Sequence, residues 1–148
     1  MAARSQLDLG NYLPYLINRV GFALVESFTA ELVPHGLRID MWRVLAALSN
    51  NGEQRQVDLV TMTSIDASTM SRLVSRLVRN GLVTRSRSAK SSREVVVELS
   101  PKGRALVQRL IPIAKRLEQT ASAGLPAKDL AVAKRALGQM YDNLVSGR

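Results

Sequence analysis

Three observations predict a mainly α-helical chain built as a winged helix-turn-helix flanked by long helices at both ends. Apolar residues recur at spacings of three and four along most of the chain, one short valine-rich region switches to a β-type pattern, and aromatic residues make up only 4% of the 148 positions. The 46% of apolar residues are enough to bury a sizeable core. Aliphatic side chains on helices must therefore do most of the burying, at about 25 cal/mol per Å² of apolar surface removed from water.

The first helix is carried by YLPYLINRVGFALVESFTAEL, in which Leu13, Leu16, Ile17, Val20, Leu24, Phe28 and Leu32 share one side. Pro14 lies near its start, where a missing N–H is tolerated, and the helix stops before VPHG. Asp40 is expected to cap a second helix, MWRVLAALS, which NNG ends. QVDLVTMTS forms a third. After a break at Thr63 to Ile65, Asp66 caps a fourth, with Ile65 and Met70 as the two ends of a hydrophobic staple and Gly81 as its terminator.

Beyond Gly81 the period changes: LVTRSRS and REVVVELS bracket the polar tract SAKSS and predict a two-stranded hairpin, the wing. Ser100 then Pro101 mark the cap and first position of a fifth helix, with Leu106, Leu110, Ile113, Ala114 and Leu117 on one side and a kink expected at Pro112. A last helix begins near Pro126 and carries Leu130, Leu137, Met140, Tyr141 and Leu144. There is no internal repeat and no low-complexity linker.

The chain carries 21 Lys and Arg against 12 Asp and Glu, a net charge of +9, which favours a polyanionic partner. Location matters more than the total. Between positions 63 and 104, nine cations face three acids, so +6 of the +9 lies in 42 residues. With no cysteine, disulfides, thiolate metal sites and thiol redox sensing are excluded. Asp8 and Asn11 interrupt the place where a signal peptide needs an apolar core, and no apolar run approaches the roughly 20 residues of a membrane span, so a cytoplasmic protein is expected.

On the fourth helix, Met70, Leu73, Val74, Leu77 and Val78 fall on one side and Ser68, Ser71, Arg72, Ser75, Arg76 and Arg79 on the other. A face made only for solubility would mix charge signs and pair Glu with Lys four residues apart. This one concentrates positive charge beside short hydroxyls, which let a helix approach a surface closely while Arg reaches guanine O6 and N7. The face suits a major groove. Arg85 and Arg87 lead into the hairpin, and Lys90 and Arg93 lie at or beside its tip, where a wing meets the minor groove or the backbone.

The segments MWRVLAAL, QVDLVTMTSIDASTMSRLVSRLVRNGLVTRSRS and REVVVELSPKGRAL resemble the multiple-antibiotic-resistance regulator (MarR) family of bacterial transcription factors. The likeness is close over residues 41 to 106, and the helix pattern extends it over nearly the whole chain. It implies a homodimer on a palindromic operator of double-stranded DNA. Residues 1–36 and 101–148 would form a helical dimerisation region, with the interface near 9–33 and 101–146, and residues 37–100 the DNA-binding region of one compact domain. Carried over by position, Ser68, Thr69, Ser71, Arg72 and Arg76 would lie at the major groove and Arg93 in the wing. The family often has Asp-Arg-Arg in the wing; Ser91, Ser92, Arg93 here lacks the acid that braces it.

The resemblance further implies a cleft for phenolic compounds, aromatic carboxylates or their CoA thioesters. Tyr12, Tyr15, Phe22, His35, Trp42 and Arg43 are the polar-aromatic candidates, Arg43 being the one suited to an anion, although Phe22 and Trp42 also fit core positions and His35 a surface loop. An effector would act by favouring a dimer whose recognition helices are spaced wrongly for major grooves about 34 Å apart, with Pro112 as a possible hinge. The alternative is a constitutive architectural DNA-binding protein without effector. An enzyme is not expected, since one histidine, no cysteine and no close carboxylate pair in an apolar setting leave little for catalysis, and no cofactor or metal is called for.

Overall fold

The computed structural model describes residues 5–147; residues 1–4 and 148 of the expected terminal regions lie outside the described residues. Two compact units are present, Met1–Ala114 and Lys115–Arg148. Six α-helices and three short strands follow in the order α1 (Leu13–Leu32), α2 (Ile39–Asn51), β1 (Gln54–Arg55), α3 (Gln56–Thr63), α4 (Ala67–Arg79), β2 (Val83–Arg87), β3 (Val95–Leu99), α5 (Pro101–Ala121) and α6 (Ala127–Val145).

In the first unit, helices α1 to α5 and strands β2 and β3 all contribute to one core. Leu32, Val44, Leu45, Leu59, Met70, Val74, Leu77, Val97 and Leu110 are fully buried, and no polar residue is buried among the described residues. The fourth-helix stripe predicted from the period is the central piece, with Met70, Leu73, Val74 and Leu77 all inward.

Both ends of α4 are closed by local chemistry. Asp66 is its N-cap, accepting from the Thr69 N–H at 2.9 Å. At the other end Gly81 takes φ +73°, the Gly81 N–H donates to Val78 O at 2.9 Å and the Leu82 N–H to Leu77 O at 3.0 Å. That pair of bonds is a Schellman motif, open to glycine because its left-handed φ carries no Cβ penalty.

The start of α5 is locked against this turn. Ser100 Oγ accepts from the Gly103 N–H at 2.9 Å and donates to Gly81 O, the Ser100 N–H donates to Leu82 O at 3.0 Å, and Lys102 Nζ donates to Asn80 O at 3.0 Å. Gly103 packs so tightly that a Cβ there would lie 1.9 Å from Leu82 O. The SPKG stretch is thus a clamp tying helix start to helix end.

Two expectations change. The sheet has three antiparallel strands in the order β1-β3-β2, not two: Gln54 and Arg55 pair with Val97 and Val96 on the free edge of β3. The β2–β3 hairpin itself runs from Val83 opposite Leu99 to Arg87 opposite Val95. Asp40 is not the N-cap of α2, because the helix begins at Ile39 after Arg38 and Asp40 sits in its first turn. α5 runs through Pro112 to Ala121, and the proline leaves the Gln108 carbonyl without its helical donor.

Burial fades toward both ends of the chain. In α1 only Phe28 and Leu32 are buried, while Leu13, Leu16, Ile17 and Val20 remain exposed. The second unit comprises the end of α5 and α6, where a Lys134–Glu118 ion pair joins the two helices and no residue of α6 is buried.

Candidate nucleic-acid interface

The outward face of α4 carries Ser68, Thr69, Ser71, Arg72, Ser75, Arg76 and Arg79, all exposed except Thr69 and Ser75, which are half-buried. The carboxylate of Asp66 organises its first turn. Its oxygens accept from Thr69 Oγ1 at 2.7 Å, from the Thr69 N–H and from Ser68 Oγ at 2.8 Å. Thr69's hydroxyl, its N–H and the Ser68 hydroxyl together hold the Asp66 pKa well below the usual carboxylate range. With both hydroxyl protons spent on the cap, Ser68 and Thr69 offer only acceptor lone pairs outward, suited to base amino groups rather than phosphates.

The Ser71 hydroxyl is exposed and makes no hydrogen bond among the described residues. Arg72, Arg76 and Arg79 project from the same face with no carboxylate partner among the described residues. Ser75 is different: its Oγ accepts from Arg85 Nη1 at 3.0 Å, which ties β2 to α4 and sets the wing's position on that flank.

Arg87 is likewise a brace, donating from Nη1 to Ser92 O at 2.6 Å across the wing loop. The loop closes through Ser88 N–H to Glu94 O at 2.9 Å and Glu94 N–H to Ser91 O at 3.2 Å. Its base is held by Arg55, which donates to Asp58 at 2.8 Å and to Glu94 at 2.9 Å. Those two acceptors, Asp58 first, raise the Arg55 pKa, while Arg55 lowers that of Asp58. With serine at position 91, the wing carboxylate that meets Arg55 is that of Glu94. Lys90 and Arg93 remain the exposed cations of the loop. All four wing cations predicted from the sequence are exposed, and two of them, Arg85 and Arg87, also bond within the protein.

Two residues were missed. Arg55 hides in a two-residue strand. Arg38, just before α2, lines a hollow of about 360 Å³ with Thr69, Arg72, Leu73, Arg76 and Arg79. The signal for Arg38 was available, because a cation at a helix N-terminus opposes the helix dipole and calls for a compensating acid. Asp40 supplies it at 2.6 Å.

The effector candidates do not converge. Trp42 and Arg43 line one hollow of about 550 Å³ with Ala46, Ala47, Asn50 and Met62, and Trp42 also meets Phe28 edge-on at 5.2 Å. His35 lines a different hollow, of about 420 Å³, with Asn80, Lys102 and Arg109. Tyr12 is exposed, Tyr15 lies under Arg19 at 5.7 Å, and Phe22, at 71% exposure, is not core in this chain. Among the described residues no His, Cys, Asp and Glu cluster could hold a metal, and no helix is long and apolar enough to cross a membrane.

Comparison with known proteins points the same way as the geometry. The profile of the MarR family matches residues 38–95. NicR, an HTH-type transcriptional repressor of Pseudomonas putida, is 31% identical over 99 residues, covering 67% of this chain and 63% of NicR, less than two thirds of that relative's length. BpsR of Bordetella bronchiseptica, whose DNA binding is regulated by 6-hydroxynicotinic acid, superposes with a TM-score of 0.80 at 30% identity, over 88% of this chain and 98% of BpsR. A MarR family transcriptional regulator from Silicibacter pomeroyi gives a TM-score of 0.79 at 31% identity, over 94% of this chain and 99% of its own.

Proposed function

This chain belongs to the MarR family of transcriptional regulators, and we propose that it acts as a homodimeric repressor, released from a palindromic operator by a small aromatic acid. The observation that carries the reading is the outward face of α4, where Ser71, Arg72, Arg76 and Arg79 stand free of acidic partners on a helix capped at both ends. In the major groove, Arg72 and Arg76 pair with guanine edges, while Ser68 and Thr69 accept from adenine or cytosine amino groups. Lys90 and Arg93 neutralise phosphates beside the minor groove.

Pairing is supported by the apolar side chains left in water on α1 and α6. A stable monomer seldom keeps such stripes exposed. Two copies would set their α4 helices one turn of duplex apart, about 34 Å, so that operator symmetry mirrors protein symmetry. The effector part of the reading leans on BpsR and on the Trp42–Arg43 hollow, whose lining includes an aromatic ring and a cation. An aromatic acid seated there releases DNA only by binding better to the wrongly spaced dimer. The protein would work in the cytoplasm, with the chromosome.

Binding to duplexes selected from a randomised pool, measured beside random DNA at one salt concentration, tests the reading. We expect a specificity ratio of about a thousandfold or more. Arg72→Ala should cost about 1–3 kcal/mol and relax preference at one base per half-site. A ratio near one would leave the architectural alternative standing. Adding 6-hydroxynicotinic acid as a probe should raise the unfolding temperature and lower operator occupancy together.

A further inference from the structure

A helix lying in a major groove about 12 Å wide faces a phosphate strand on each flank. The wing serves only one of them. On the Ser75 flank of α4, the Arg85 bond brings the wing alongside. On the opposite flank, defined by Thr69, Leu73 and Arg76, the neighbour is Arg38 at the entry to α2.

We infer that Arg38, held in place by Asp40, is a backbone-phosphate clamp on the wingless flank of α4, meeting the phosphate at its own side of the hollow while Arg72 and Arg76 reach on to the bases. The inference rests on the proposed docking of α4 in the groove and deepens it. Four guanidinium-bearing residues line this hollow of about 360 Å³ and no acid does. Among the described residues, Arg38 alone of the four has an acidic partner, so the concavity keeps a positive potential that favours an anion. The volume suits one phosphate group with its water.

The geometry of Arg38 favours the same role. Its Nε donates to Asp40 Oδ1 at 3.2 Å and its Nη2 to Oδ2 at 2.6 Å, a two-point grip that fixes the guanidinium plane. Of its five N–H groups, three stay free. The side chain remains 56% exposed while Asp40 is only 24% exposed, so the acid lies behind and the cation in front. Asp40 also accepts from the Met41 N–H at 2.8 Å, anchoring the brace to the first turn of α2. A salt bridge this exposed adds little stability, so orientation of the guanidinium is what it supplies. Asp40 is a positioning residue and Arg38 the one that meets the phosphate.

The test uses the full-length protein and measures affinity for a selected operator and for random DNA across a salt series. Arg38→Gln should weaken binding to both duplexes alike, by about tenfold at moderate salt, and lower the slope of log affinity against log salt by about one. Arg38→Lys should keep the slope and recover only part of the affinity, because a point charge replaces an oriented fork. Asp40→Asn should also keep the slope and weaken binding a few-fold, since the cation survives without its brace. Should Arg38→Gln prove unstable to heating, the Arg38→Lys and Asp40→Asn pair decides instead.

An unchanged slope and affinity for Arg38→Gln overturns the clamp, as would equal affinity for all variants. So would a loss confined to one base position, which would make Arg38 a reader of sequence. The two readings fail separately. If the wild type discriminates operator from random DNA and Arg38→Gln is silent, only the clamp is lost. If discrimination is absent but the slope still falls, the clamp stands and sequence-specific repression does not.

Discussion

The segment from Leu37 to Leu110 and the helices at the chain's two ends treat their apolar side chains in opposite ways. In the first, Met41, Leu45, Leu59, Met70, Leu77 and Val97 are sealed to 1% exposure or less. In α1 and α6, side chains of the same kind stay open: Val20 is 56% exposed, Leu137 48% and Leu144 76%. Both regions follow a 3.6-residue period, so periodicity does not separate them. What separates them is whether the stripe is covered: the winged lobe buries its own, whereas those of α1 and of α6 are each left largely exposed.

The largest effect should come from breaking the closed region at its tightest point. Gly103→Ala forces a Cβ to within 1.9 Å of Leu82 O, where only backbone can give way. We expect a loss of about 3 kcal/mol or more, read by denaturant unfolding, with DNA binding lost as the α4–α5 clamp opens. A variant that unfolds at the wild-type denaturant concentration would mean that α5 is free to shift.

Next comes the open region. Ile17→Glu should leave the winged lobe folded but give a monomer by sedimentation, with operator affinity lowered about a hundredfold as two linked half-sites become one. In the wild type, the unfolding temperature should climb with protein concentration, since association stabilises only the folded state. A concentration-independent value would show that the two faces do not pair.

Arg93→Ala should touch neither region. Thermal stability and association stay unchanged, while affinity for every duplex drops a few-fold and the salt slope falls by about one.

The smallest effect is an acid-dependent one, confined to the closed region. Asp66 binds its proton less readily folded than unfolded, because its hydrogen bonds favour the carboxylate. Its contribution is complete above the unfolded pKa of about 4 and is withdrawn as pH falls toward the lower native value. Asp66→Ala should therefore lower the unfolding temperature at neutral pH, with a gap to wild type that narrows below about pH 4.

Legibility from residue order followed the range of the interactions involved. The α4 cap at Asp66, the glycine terminator at Gly81 and the inward stripe from Met70 to Leu77 are set within a few residues of each other, and all three were readable. The Ser100–Pro101 helix start was readable for the same reason. The strand Gln54–Arg55 was not, since two residues carry no period and their pairing is decided by the edge of β3, some forty residues on. Asp40 was misassigned as a cap because Asp suits both a cap and a first turn, and the Arg38 side chain beside it selects the second. The bonds of Arg85 to Ser75 and of Arg87 to the Ser92 carbonyl were not readable either, since each joins residues that the fold, not the local sequence, brings together.

Taken alone, the order of residues determined the helices, the wing hairpin and the cationic hydroxyl face of α4, because each follows from capping, turn chemistry and periodicity over a short stretch. Only the tertiary structure decided which cations are free and which are struts, that Arg38 joins the α4 face, and that Trp42 and His35 line separate hollows. Those outcomes depend on which surfaces meet, and a side chain's partner across the fold leaves no mark on its neighbours along the chain.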